Sequence, residues 1–124
     1  MILELENLKN RYENELIEFR QDLHMHPELS FKEFRTTEKI KAKLSALGIE
    51  ILDIGLKTGV AGLLRGKGDG PTIALRGDID ALPIQELNEV PYKSKTDGVM
   101  HACGHDIHTA AVVGAAMILA DLKD

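Results

Sequence analysis

"IEILDIGLKTGVAGLLRGKGDGPTIALRG", residues 49–77, is where the hydrophobic period of the chain changes. On either side of it, apolar residues recur every three or four positions. Within it they come in short runs cut by glycine, the pattern of strands and turns. Residues 49–55 and 59–66 read as strands, and 67–71 as a turn. Residues 72–77 read as a third strand whose continuous apolar run implies burial on both faces.

Working outward, Leu5, Leu8, Tyr12, Leu16, Phe19 and Leu23 fall on one face of a helix that Pro27 should end. Ser30 and Glu33 fit a capping box for a second helix with Phe34, Ile40, Leu44 and Leu47 on its apolar face. Gly48 is a natural end for it, because glycine enters the left-handed conformation cheaply. Residues 83–99, with Pro83, Pro91 and Gly98, read as a long loop of the kind that often carries function. The last helix should begin near Gly104 or His105, with a stripe of mostly small residues (Ile107, Ala111, Gly114, Ile118, Leu122) suited to close packing on a sheet. The expected class is α/β, helices packed on a mixed sheet in the order ααβββα.

Composition narrows the function. The chain has 124 residues, enough for one domain with one core. Its net charge of −5 and scattered basic residues argue against a nucleic-acid partner. A single cysteine excludes an internal disulfide, and with a charged start unlike a signal peptide it points to a cytoplasmic setting. No apolar run reaches membrane-spanning length.

The chemistry concentrates in "MHACGHDIH", residues 100–108. Cys103 and His105, two apart before a helix, offer a thiolate and an imidazole, which suit zinc and its neighbours in the transition series. The helix N-terminus favours the thiolate. The plain alternative is a structural cysteine beside surface histidines. In "RGDIDALP", residues 76–83, Asp78 and Asp80 project to the same side of an extended segment at a strand end. Asp80 could orient a ligating histidine, or both could simply belong to a turn. In "HMHPE", residues 24–28, His24 and His26 read best as a helix end where histidine complements the dipole.

Together, "LHMHPELSFKE", "LRGDIDALPIQE" and "GVMHACGHDIHTA" resemble the N-terminal part of the metal-dependent amidohydrolases related to aminoacylase, hippurate hydrolase, N-acetyldiaminopimelate deacetylase and the indole-3-acetyl-amino-acid hydrolases. The resemblance runs from about Leu16 to about Leu119. It implies a zinc-peptidase-like catalytic domain with two divalent metals per site, zinc or manganese, with cobalt or nickel as alternatives. It implies hydrolysis of the amide bond of a small N-acyl amino acid. By the resemblance, Cys103 and His105 are metal ligands and Asp80 is the active-site aspartate that orients a ligating group. Asp78 stands where relatives carry a ligating histidine and stays a candidate only. His101, Asp106 and His108 would support the site. Similar proteins take a general base from a Glu-Glu pair and further ligands from downstream segments, and no Glu-Glu pair occurs here. The expectation is therefore that residues 1–124 are the N-terminal portion of the catalytic domain, inactive alone, without the lid and dimerisation domain, the parent being a homo-oligomer. The competing expectation is a non-catalytic truncated product or a weak metal-binding module.

Overall fold

The computed structural model describes residues 1–123. Helix α1 spans Ile2–Met25, α2 spans Phe34–Ala46, strands β1 and β2 span Glu50–Leu52 and Ala61–Leu63, and α3 spans His105–Leu122. The α/β class stands. It is built mainly from helices, with a two-stranded antiparallel sheet that pairs Glu50 with Leu63, Ile51 with Gly62 and Leu52 with Ala61.

The core is a helix–helix interface. Phe19 and Leu23 of α1, Ile40 of α2, and Ala110, Val113 and Met117 of α3 are buried against one another, flanked by Tyr12, Leu16, Leu44, Leu47, Val60 and Ile79. The C-terminal half of α1 thus follows the face its periodicity predicts, while Ile2 and Leu3 at its start are exposed. Gly114 is the point of close approach: a β-carbon there would lie 2.8 Å from Leu16 Cδ1. Small residues do let α3 pack tightly, but onto α1 rather than onto a sheet.

The ends of α2 have separate causes. At its start the expected Ser30 box does not form, and the helix begins at Phe34 without a local side-chain cap. The Glu28 carboxylate supplies the cap instead, accepting from the Arg35 N–H at 3.0 Å and the Thr36 N–H at 2.7 Å. Two of the backbone donors that every helix start leaves unpaired are satisfied this way. Phe34, expected inside, is 59% exposed because it sits on that first turn. At the end of α2, Gly48 takes φ +70°. Its N–H donates to the Ser45 carbonyl at 3.0 Å, and the Ile49 N–H donates to the Leu44 carbonyl at 3.1 Å. This is the paired closure of a Schellman turn, as Gly48 predicted.

Two further expectations are corrected. Residues 72–77 form no β-ladder, and Ile73 and Leu75 lie 83% and 57% exposed. A strand exists through its partner's N–H and C=O groups, and no described segment bridges to this one. The order is therefore ααββα, and among the described residues the sheet is the two-stranded antiparallel pair. On α3, the buried face is Asp106, Thr109, Ala110, Val113, Gly114 and Met117. Of the predicted stripe only Gly114 is buried, and Ile107 is 54% exposed. α3 is apolar nearly all round, so periodicity does not select its face. The buried face carries the polar Asp106 and Thr109, both hydrogen-bonded, beside Ala110, Val113 and Met117 of the core.

The 83–99 loop is irregular, as expected. Its base is closed by Leu82 and Met100, which exchange backbone hydrogen bonds at 2.9 and 3.0 Å. Among the described residues, no helix is long and apolar enough to cross a membrane.

Candidate metal centre

The site is assembled where residues 77–81 lie against the first turns of α3. Gly104 precedes that helix with φ +86°, so His105 is its first residue. His105 and His108, three apart, share a helix face, and their ring centroids are 5.3 Å apart. Gly77 lets the incoming chain approach: a β-carbon there would meet Val112 Cγ2 at 3.1 Å and the His108 carbonyl oxygen at 3.2 Å. The buried Thr109 hydroxyl lies 2.8 Å from the His105 carbonyl and 3.2 Å from the Asp78 carbonyl, so it can donate to either. These contacts deliver Asp78 and Asp80 to His105.

His105 Nδ1 donates to Asp80, lying 2.9 Å from Oδ1 and 3.0 Å from the Asp80 carbonyl oxygen. Donation from Nδ1 leaves the Nε2 lone pair of the neutral ring free to bind. A carboxylate on the far nitrogen of a ligating histidine also fixes its orientation and raises its basicity. Nε2 points to Asp78 Oδ2 at 3.9 Å, and Asp78 Oδ1 accepts from the exposed Arg76 at 2.7 Å. Asp78, His105 and His108 each offer a ligand atom, all within 4.8 Å of one another. One carboxylate and two imidazoles, partly open to solvent, make a donor set that fits a divalent transition metal.

The other predicted residues lie around this centre. Cys103 is a free, exposed thiol on the turn leading into α3. Among the described residues, no group of three or more metal-type donors includes it. His101 is buried, and among the described residues neither of its ring nitrogens has a hydrogen-bond partner. Burial holds its pKa below the ordinary histidine range, against the opposing pull of the Asp106 charge.

Asp106 belongs to a second cluster. His24 Nδ1 lies 2.8 Å from Asp106 Oδ2, and His24 Nε2 lies 2.8 Å from Glu86 Oε1. His24 thus bridges the two carboxylates through its two ring nitrogens. Arg20 Nε pairs with Asp106 Oδ2 at 2.8 Å, and its guanidinium lies 5.0 Å over the Tyr92 ring. Glu86 Oε2 accepts from the Ser94 N–H at 2.5 Å. Burial raises the pKa of Glu86, but the hydrogen bonds from His24 and Ser94 outweigh it and leave the group below the ordinary range. His24, Glu86 and Asp106 are all buried.

This cluster was not legible as a unit. His24 reads from sequence as a dipole complement at a helix end. That reading suits its neighbour His26, whose Nδ1 donates to the Asp22 carbonyl at 2.8 Å. The available signal was Arg20 and His24 at i, i+4 beside the apolar stripe, two ionisable groups placed too close to the core to be solvated.

Comparison with known proteins follows the same segments. Residues 74–124 match the model of peptidase family M20/M25/M40. The chain is 58% identical to a Bacillus subtilis N-acetylcysteine deacetylase, covering 87% of this chain and 29% of that protein. It is 47% identical to thermostable carboxypeptidase 2 of Saccharolobus solfataricus over 97% of this chain and 32% of the relative. The crystal structure of a Bacillus subtilis dinuclear metal-binding peptidase of the M20 family superimposes with a TM-score of 0.89 at 55% identity, covering 92% of this chain and 32% of that one. The chain thus spans about a third of the length of these relatives. The chain is thus similar in sequence to peptidase family M20/M25/M40 over residues 74–124, and similar in fold to a dinuclear metal-binding peptidase of the M20 family.

Proposed function

We propose that the protein carrying this chain is a metal-dependent amidohydrolase that releases an amino acid from a small N-acyl amino acid. On this reading, residues 1–124 are the N-terminal portion of its catalytic domain, and the lid domain, the general base and the remaining ligands lie in other segments. The observation that carries the reading is the Asp80–His105 hydrogen bond, which presents Nε2 beside Asp78 and His108. That the relatives include an N-acetylcysteine deacetylase supports an acylated amino acid as substrate.

His105 would hold a divalent ion, with Asp78 and His108 beside it by geometry and Cys103 by its place in the family motif. Such an ion, when bound, polarises a carbonyl and lowers the pKa of a water. The chain's own part is orientation. Asp80 fixes the His105 ring. Thr109 and Gly77 keep the aspartate segment against α3. Arg76 neutralises Asp78 and, at 84% side-chain exposure, is free to leave it when a cation arrives.

The test is release of cysteine from N-acetylcysteine, and of other amino acids from N-acyl derivatives, by the purified protein with zinc or manganese and after chelation. Metal-dependent release that His105→Ala and Cys103→Ala abolish is expected. Release that survives chelation, or is indifferent to both substitutions, would remove the proposal.

A further inference from the structure

The buried cluster of Arg20, His24, Glu86 and Asp106 touches none of the candidate ligands, yet Asp106 directly follows His105 in the chain. Buried ionic clusters are poor stabilisers, and replacing them with packed apolar residues is often neutral or favourable to the fold. Stability alone therefore does not account for three buried ionisable groups in one place.

The first turn of α3 needs an external anchor. A helix start has unpaired N–H groups and no preceding turn to hold it. Here it follows a left-handed glycine and has no side-chain cap. The Asp106 carboxylate supplies the anchor, held at Oδ2 by Arg20 and by His24, both at 2.8 Å and both from α1. His24 is held in turn on its far nitrogen by Glu86, which the Ser94 N–H and Asn88 fasten into the 83–99 loop. His105 and Asp106 are consecutive helical residues, so a rotation of this turn that moved one would move the other.

We propose that His24 is a positioning residue of the metal centre: by holding Asp106 it holds the first turn of α3, so that His105 faces Asp78 and His108. The inference rests on the reading of His105 as a metal ligand.

The two ring nitrogens of His24 allow a direct test. Asparagine can place a donor where Nδ1 faces Asp106, and glutamine can place one where Nε2 faces Glu86. The purified protein is stripped of metal and titrated with Co²⁺ alone, its absorption spectrum reporting binding, beside thermal melts of each variant. Loss of a ligand's outer-shell partner weakens metal binding by roughly 10–100-fold, and His24, one step further out, should act at the lower end of that range. His24→Gln should show that loss, whereas His24→Asn should stay within about threefold of the parent, although both lower the melting temperature alike. Asp106→Asn should follow His24→Gln, and it carries the test against His24→Asn should the glutamine variant not fold. Equal Co²⁺ affinity in the Asn and Gln variants would overturn the proposal while leaving the metal centre standing, provided His105→Ala abolishes binding. Undiminished binding by His105→Ala would overturn both.

Discussion

His105 and His24 each face two carboxylates, and they do opposite things with them. His24 is closed: its nitrogens sit 2.8 Å from Asp106 and 2.8 Å from Glu86, with both partners buried. His105 is closed on one side only. Nδ1 is 2.9 Å from Asp80, while Nε2 stands 3.9 Å from an Asp78 that is itself partly exposed. Residue type does not separate the two sites. What separates them is whether the second nitrogen already has a partner at hydrogen-bonding distance. A ring tied at both ends joins segments of the fold, whereas a ring tied at one end keeps a lone pair for a ligand.

The contrast breaks first at His105. His105→Ala should lower metal affinity by more than the roughly 10–100-fold expected of an outer-shell loss. Its effect on folding should be small, because the side chain is only partly buried, and equilibrium dialysis beside a urea titration would separate the two. A variant that binds metal normally would erase the distinction between the clusters.

The closed cluster should show the converse. Removing one partner of a buried ion pair strands the others, at about 3–5 kcal/mol. Asp106→Ala should therefore shift the urea midpoint strongly even in metal-free protein. A shift within the range of a surface substitution would mean that the cluster is solvated rather than closed.

Gly77→Ala probes the seam between the two regions. The new methyl would press on the backbone oxygen of His108, which cannot swing aside. A cost of about 1–3 kcal/mol is expected, together with weaker metal binding. Gly114→Ala should be milder, because the clash there is with the mobile end of Leu16. If the two substitutions proved equal in stability, the aspartate segment would not be held as tightly as its geometry implies.

Acid should act on the closed cluster more gently. The Glu86 pKa is held below its ordinary value by hydrogen bonds that exceed the opposing effect of burial. A carboxylate so depressed contributes stability that is present above the unfolded pKa, about 4.3, and lost as pH falls through the lower folded value. Metal-free protein should lose stability in that window, and Glu86→Gln should flatten the loss. An unchanged pH profile in that variant would place the acid sensitivity elsewhere.

Much of this was legible because it is local. Helical period, the left-handed Gly48, the Cys-Gly-His run before α3 and the irregular 83–99 loop depend on neighbours a few residues away, and those neighbours are written in order along the chain. The resemblance to the family was readable for the same reason, since three motifs of contiguous residues carry it. Tertiary structure alone decided the rest. The apolar run 72–77 has strand composition, but a ladder needs a second segment and none is beside it. The face that α3 buries includes Asp106 and Thr109 with their partners, and hydrophobic spacing on so apolar a helix does not single it out. Glu28 caps a helix from seven and eight residues away, and His24 finds Asp106 across 82 residues. Sequence by itself supplied the candidate metal-binding side chains. Only the tertiary packing, of residues 77–81 against α3 for His105 and of α3 and the 83–99 loop against α1 for His24, decided that His105 keeps a nitrogen free and His24 does not, because a hydrogen bond depends on distance in space and the chain records only order.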